Sequence, residues 1–167
     1  MAVISGYHVD DYCVPVFRQV VKALRDRLGA EKITDLLEVR PGDLIARVPP
    51  KIGGANAPDQ PRPVPVFRIR AVGQDFDESG KLVLTGDADY LYFEVDQCLL
   101  LSFSTGEPCV GPSDDVSEGA VDCFNAQDVG RVEEKHQGLD EDLKGILYRI
   151  PPDRLPGLDA PVGVNRP

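Results

Sequence analysis

With 167 residues, 42% hydrophobic and 28% charged, the chain has the composition of one globular domain that can bury a core without metals or disulfides. Its 18 Lys and Arg stand against 28 Asp and Glu, a net charge of −10 that counts against a nucleic-acid-binding protein of the usual basic kind. No apolar run reaches the roughly 18 residues of a membrane span, and no basic segment followed by an apolar one opens the chain, so the expected location is cytoplasmic, away from membranes.

In chain order, Val3 and Ile4 suggest a short edge strand, and Asp10 and Asp11 offer capping carboxylates for a helix. Cys13, Val16, Phe17, Val20, Val21, Leu24 and Leu28 recur at helical spacing. Arg18, Gln19, Lys22, Arg25 and Asp26 fall on the other side, so an amphipathic helix is predicted from near Pro15 to Gly29. Ile33, Leu36 and Leu37 suggest a second, short helix over 31–37. Arg40-Pro41-Gly42-Asp43 reads as a turn, because Pro presets φ and Gly accepts a positive one, and a strand over 44–48 follows. Residues 49–65 hold six prolines and Gly53-Gly54. Each proline removes a ladder donor, so this segment is expected to be a mobile or binding loop.

The clearest strand signal lies in 64–103. Phe67, Ile69 and Ala71 alternate with Arg68 and Arg70, and Leu91, Phe93 and Val95 alternate with Tyr90, Tyr92, Glu94 and Asp96, as on a sheet with one face buried. Leu99, Leu101 and Phe103 keep the same parity, which predicts one long strand over 90–103. A hairpin turn is predicted over 75–80, where Asp, Ser and Gly supply acceptors and a permissive backbone. Further on, Ser113 could cap a helix over 114–124 carrying Val116, Ala120, Cys123 and Phe124. Leu143, Ile146, Leu147 and Ile150 fit another helix with carboxylates at its start, although Gly145 and the β-branched residues leave a strand open. Pro151 onward reads as an extended tail.

The expected fold is therefore α+β. An N-terminal amphipathic helix packs on a mainly antiparallel sheet or small barrel in a single domain over 1–150, with one or two acidic helices near the C-terminus and a tail over 151–167.

Charge is laid out unevenly. Residues 40–70 hold Arg40, Arg47, Lys51, Arg62, Arg68 and Arg70 against Asp43 and Asp59. Residues 107–142 hold eleven carboxylates against Arg131 and Lys135. Such asymmetry bears on partners and association rates. Carboxylates along a surface attract a basic protein partner, with Asp114, Asp115, Glu118, Asp122, Glu133 and Glu134 as the contact residues. The plainer account of the same residues is solubility.

The other face of the central sheet, with Arg68, Arg70, Tyr90, Tyr92, Glu94 and Asp96, is a second candidate surface. Separately, the basic 40–70 block with Phe67, Tyr90 and Tyr92 could track a single nucleic-acid strand, its charges binding phosphates and its rings stacking on bases. The acidity of the chain opposes that, and the plainer account pairs the arginines with Glu94 and Asp96 across strands.

The chemical motifs are weak. Asp75, Asp77 and Ser79 with Gly80 match the first half of a calcium loop, but strands flank them and Gly86 stands where the bidentate carboxylate belongs. His8-Val9-Asp10 with His136 has the residue types of an iron site but not its frame, and Glu133 with His136 lacks the second such pair a di-iron site needs. Ser102, Ser104 and Thr105 sit in no nucleophile elbow. No phosphate-cradling glycine loop occurs. Cys13, Cys98, Cys109 and Cys123 show no metal or redox spacing. In an oxidising compartment Cys109 and Cys123 would close a loop worth roughly 3 kcal/mol.

No metal, no cofactor and no catalytic residue are expected. The favoured function is a small acidic, non-catalytic binding protein of inhibitor, immunity or regulatory type, acting on a basic protein through 107–142. The alternative is a small enzyme or ligand-binding domain using the 49–65 loop and the polar sheet face.

Overall fold

The computed structural model describes residues 14–48, 63–87, 89–102, 109–112, 121–125 and 147–155. Its α-helix, α1, is Val14–Leu28, and its strands are β1 Glu31–Lys32, β2 Leu44–Arg47, β3 Val64–Gly73, β4 Asp75–Phe76, β5 Leu82–Val83, β6 Tyr90–Ser102, β7 Cys109–Pro112, β8 Val121–Asn125 and β9 Leu147–Ile150.

α1 follows from the sequence pattern. Val16, Phe17, Val20, Val21, Leu24 and Leu28 are all buried, each worth on the order of 1.5–3 kcal/mol when removed from water. Pro15 stands in the first turn, where no intrahelical acceptor bond is lost. Gly29 ends the helix at φ +64°, its N–H donating to the Arg25 carbonyl and that of Ala30 to the Leu24 carbonyl. Arg25 and Arg27 in the last turn suit the negative end of the helix dipole.

The strands form an antiparallel sheet in the order β1-β9-β2-β3-β6, with β7 and β8 end to end along the far edge of β6. β4 and β5 make a separate hairpin. Residues directly opposite in a ladder share a face, so the register sets out rows across the sheet. Tyr148, Ala46, Val66 and Leu99 form one row. The Tyr148 phenol lies within electrostatic reach of Arg25, which places α1 over this row. Burial pushes that phenol well above its ordinary range, and Arg25 only partly offsets the shift.

Arg149, Ile45, Phe67 and Cys98 form a row on the opposite face. There the Arg149 guanidinium donates to Asp43 Oδ2 at 3.1 Å and to the Glu38 carbonyl, holding the 3-10 turn Leu36–Glu38 and the Arg40–Asp43 turn against β9. Leu36 and Val39 are buried beside it.

Two opposed irregularities interrupt the β3–β6 ladder. Asp96 is extra between the pairs Arg68↔Gln97 and Ile69↔Val95, and Arg70 is extra between Ile69↔Val95 and Ala71↔Glu94. Each bulge reverses the facing of the residues after it in its own strand, and together they restore the register. Leu99 and Leu101 therefore do not share the face of Leu91, Phe93 and Val95. They lie on the face of Tyr92 and Glu94, buried at its α1 end. Pro65 is tolerated inside β3 because the β2 pairing has already stopped at Ala46↔Val66, so no donor is missed on that side.

The expected fold class is corrected in its C-terminal part. No acidic helix is found near the C-terminus among the described residues. Where a helix over 114–124 was expected, Val121–Asn125 is β8, which satisfies the edge of β6 at Tyr90–Glu94. Where Leu143 to Ile150 fitted a helix, Leu147–Ile150 is β9, slotted between β1 and β2 with Leu147, Tyr148 and Ile150 buried. A strand covered on both faces reads as a continuous apolar run, and that run imitates helical spacing.

The short helix expected over 31–37 resolves into β1 and the 3-10 turn, since Ile33 N–H donates to the Leu147 carbonyl instead of a helical acceptor. Of the loop expected over 49–65, Val64 and Pro65 belong to β3 and 49–62 lie outside the described residues. The packed unit reaches Leu155, which is buried after the 3-10 turn Pro152–Arg154. No helix among the described residues is long and apolar enough to cross a membrane.

Candidate functional site

Beyond the row headed by Tyr148, the α1-covered face turns polar. Along β6 it carries Gln97, Glu94, Tyr92 and Tyr90, and along β3 Arg68, Ala71 and Gly73 stand opposite. Arg70, at its bulge, donates from Nη2 to Glu94 Oε1, with both side chains partly in solvent. Such an exposed pair contributes at most about 1 kcal/mol, so its interest is where it holds the carboxylate. Gln97 Oε1 is buried and accepts no hydrogen bond from the described residues.

The β4–β5 hairpin closes one side of this region. It folds directly over Gly73, where a Cβ would stand 2.5 Å from the Val83 carbonyl oxygen and 2.7 Å from its nitrogen. Gln74 anchors it. Its N–H donates to the Val83 carbonyl at 3.0 Å, and its buried Oε1 accepts from Thr85 N–H at 2.8 Å. Gln74 Nε2 is also buried and has no acceptor among the described residues.

At the tip, Asp77 Oδ1 accepts from Ser79 Oγ at 2.6 Å and from the N–H groups of Ser79 and Lys81 at 2.9 Å, while Gly80 takes φ +83°. The Ser79 hydroxyl and these N–H groups hold the Asp77 carboxyl below its ordinary range. The hairpin lays Phe76 against Tyr92, with ring centroids 5.7 Å apart and planes at 48°, and Tyr92 meets Tyr90 edge-on at 5.7 Å. Tilted pairs at this spacing suit the ring quadrupoles. Exposed carboxylates flank the ring residues in sequence: Asp75 before Phe76, Asp77 and Glu78 at the tip, and Asp89 just before Tyr90, against Lys81.

The expected polar sheet face is therefore spread over two strands and two bulges. Arg70, Glu94, Tyr92 and Tyr90 come together, Arg68 stands opposite Gln97, and Asp96 is the bulged residue itself. Phe76, read from the sequence as part of a turn, joins them through the hairpin. Of the expected partner contacts, Asp122 lies in β8 opposite Phe93, and Asp114, Asp115, Glu118, Glu133 and Glu134 lie outside the described residues.

The calcium candidate Asp75, Asp77 and Ser79 forms a self-satisfied turn. Asp75 Oδ1 accepts from Phe76 N–H, and Asp77 Oδ1 is taken up by its own loop. Among the described residues no group of three or more His, Cys, Asp or Glu side chains is placed to hold a metal ion. His8, Asp10 and His136 lie outside them, and Cys98 is a buried thiol. No protein-family model matches the chain, and no curated protein or solved structure shows a significant match to it.

Proposed function

We propose that the protein is a small, non-catalytic binding protein of inhibitor, immunity or regulatory type that engages a basic protein partner through its acidic segment, residues 107–142. The observation that carries the reading is the path of that segment. Its strand β8, which carries Asp122, pairs with β6 along Tyr90–Glu94, the sheet end that bears the acidic hairpin, and the sequence of the segment holds eleven carboxylates. Carboxylates gathered on one side favour a cationic surface, speed its encounter, and disfavour acidic competitors.

The test is capture of a basic partner by the tagged chain at low and at raised salt, compared with a variant carrying Asp114→Lys, Asp115→Lys and Glu118→Lys. Salt-sensitive capture that the reversals weaken on the order of ten-fold is the expected result. Capture indifferent to both changes would sink the reading.

A further inference from the structure

We propose that the Phe76–Tyr92 pair, with Glu94 beside it, seats a guanidinium or ammonium group from a basic segment of the partner. This seat rests on the acidic-segment reading and names the group that is recognised and where. Rings attract cations through the negative charge of their faces, and Tyr92 packs against Phe76 at a tilt and against Tyr90 edge-on, so less ordering is left to be done on binding.

The surroundings set the sign of the ligand. Glu94 already receives the guanidinium of Arg70, which shows that its carboxylate is held where a guanidinium can reach it. Arg70 and Glu94 neutralise each other. Over residues 68–94 the remaining charge is the excess of Asp75, Asp77, Glu78, Asp87 and Asp89 over Arg68 and Lys81. A phosphate or carboxylate ligand would meet that excess as repulsion, and a cationic side chain would meet it as attraction. Leu84, 65% exposed at the end of the hairpin, adds apolar surface for the methylene stem of a Lys or Arg. Arg70 then acts as an internal competitor, because an incoming cation must share or take Glu94 from it.

The experiment uses the full chain and four fluorescein-labelled probes: deca-arginine, deca-lysine, deca-glutamate and a ten-nucleotide oligo-dT, read by anisotropy at low and physiological salt. Deca-arginine is expected to bind in a salt-sensitive way and deca-glutamate not to bind. Tyr92→Leu, which keeps apolar volume but removes the ring, should weaken deca-arginine about two- to five-fold, and Tyr92→Phe should bind as the parent does. Arg70→Gln should strengthen deca-arginine binding by releasing Glu94.

If Tyr92→Leu binds unchanged while the Asp114, Asp115 and Glu118 reversals weaken binding, the ring seat is wrong and the acidic-segment reading stands. If the ring variant weakens binding and the reversals do nothing, the seat stands and that reading falls. Binding of none of the cationic probes overturns both. Oligo-dT binding that is lost in Arg70→Gln replaces the seat with a single-strand nucleic-acid site. Should Tyr92→Leu fail to fold, the Tyr92 ring resonances of the parent protein decide. Deca-arginine must shift them, and unmoved resonances overturn the seat.

Discussion

The two ends of the β3–β6 pair share one face and one antiparallel register, yet they carry opposite chemistry. At the α1 end, Val64, Val66, Leu99 and Leu101 are buried on the same face as Tyr148 and Ala46. At the other end that face presents Arg70 with Glu94, then Tyr92 and Tyr90, all at least partly in solvent. The bulges at Asp96 and Arg70 divide them. By changing the facing of each strand once, they let an apolar run continue under the helix while a polar run with the same apparent alternation stays outside. One end stabilises the fold, and the other keeps its polar side chains at least partly in solvent.

The largest effect that breaks this comparison lies in the packed core. Phe67 is fully buried and meets Phe93 at 5.7 Å between ring centroids, on the face away from α1. Phe67→Ala should cost about 3–5 kcal/mol in denaturant unfolding, through lost burial and the cavity left behind. Tyr92→Leu, in the neighbouring strand but on the open end, should cost far less. Equal losses at the two positions would mean that the open end is as much a part of the core as the covered one.

The legibility of these elements in the sequence depends on the range of the forces involved. α1 was readable because a helix buries one stripe, and Val16, Phe17, Val20, Val21, Leu24 and Leu28 declare that stripe locally. The β6 alternation was readable for the same reason. The bulge at Asp96 was not, since it exists only in the register with β3, and Leu99 and Leu101 look in sequence like a continuation of Leu91, Phe93 and Val95. β9 fits helical spacing in the sequence, with a strand left open, because Leu147, Tyr148 and Ile150 are covered from both sides, and this erases the period of two. β8 was misread because its reason for being a strand is the edge of β6, more than twenty residues earlier in the chain. At the candidate site, Arg70, Glu94, Tyr90 and Tyr92 could be placed on one face from their alternation. Phe76 could not, because Asp-Phe-Asp-Glu-Ser-Gly is dominated by turn formers and its ring finds Tyr92 only once the hairpin folds over Gly73.

That fold-over supplies the next prediction. Gly73→Ala would drive a Cβ into the Val83 backbone, which belongs to a hydrogen-bonded hairpin and cannot give as a side-chain tip can. A loss of about 1–3 kcal/mol is expected, as for other overpacked positions. The accompanying signature is local. The Gln74 and Thr85 amides should lose hydrogen-exchange protection, and Phe76 should lift from Tyr92, while α1 and β9 keep their protection. Unchanged protection at Gln74 would show that the hairpin is not held by this close approach, and the open end would then owe its shape to β6 alone.

The smallest effect tests the hairpin tip by pH. Asp77 has a carboxyl held below its ordinary value of 3.8 by the Ser79 hydroxyl and by the N–H groups of Lys81 and Ser79. A depressed folded-state value means that the ionised form is favoured by folding. Its contribution is therefore fully present above the unfolded-state value and is lost as pH falls through the folded-state one. Between pH 7 and pH 5 the tip should be unchanged. Below about pH 4 the Ser79 and Lys81 amide resonances should titrate together with the Asp77 carboxyl, with only a slight change in global stability because the group is exposed. Asp77→Asn keeps one acceptor oxygen but removes the charge, so it should abolish that titration and leave the covered end of the sheet untouched. If the Tyr148 and Leu99 amides shifted with the same midpoint, the two ends would be coupled through the bulges, and the division between a packed end and an open end would have to be redrawn.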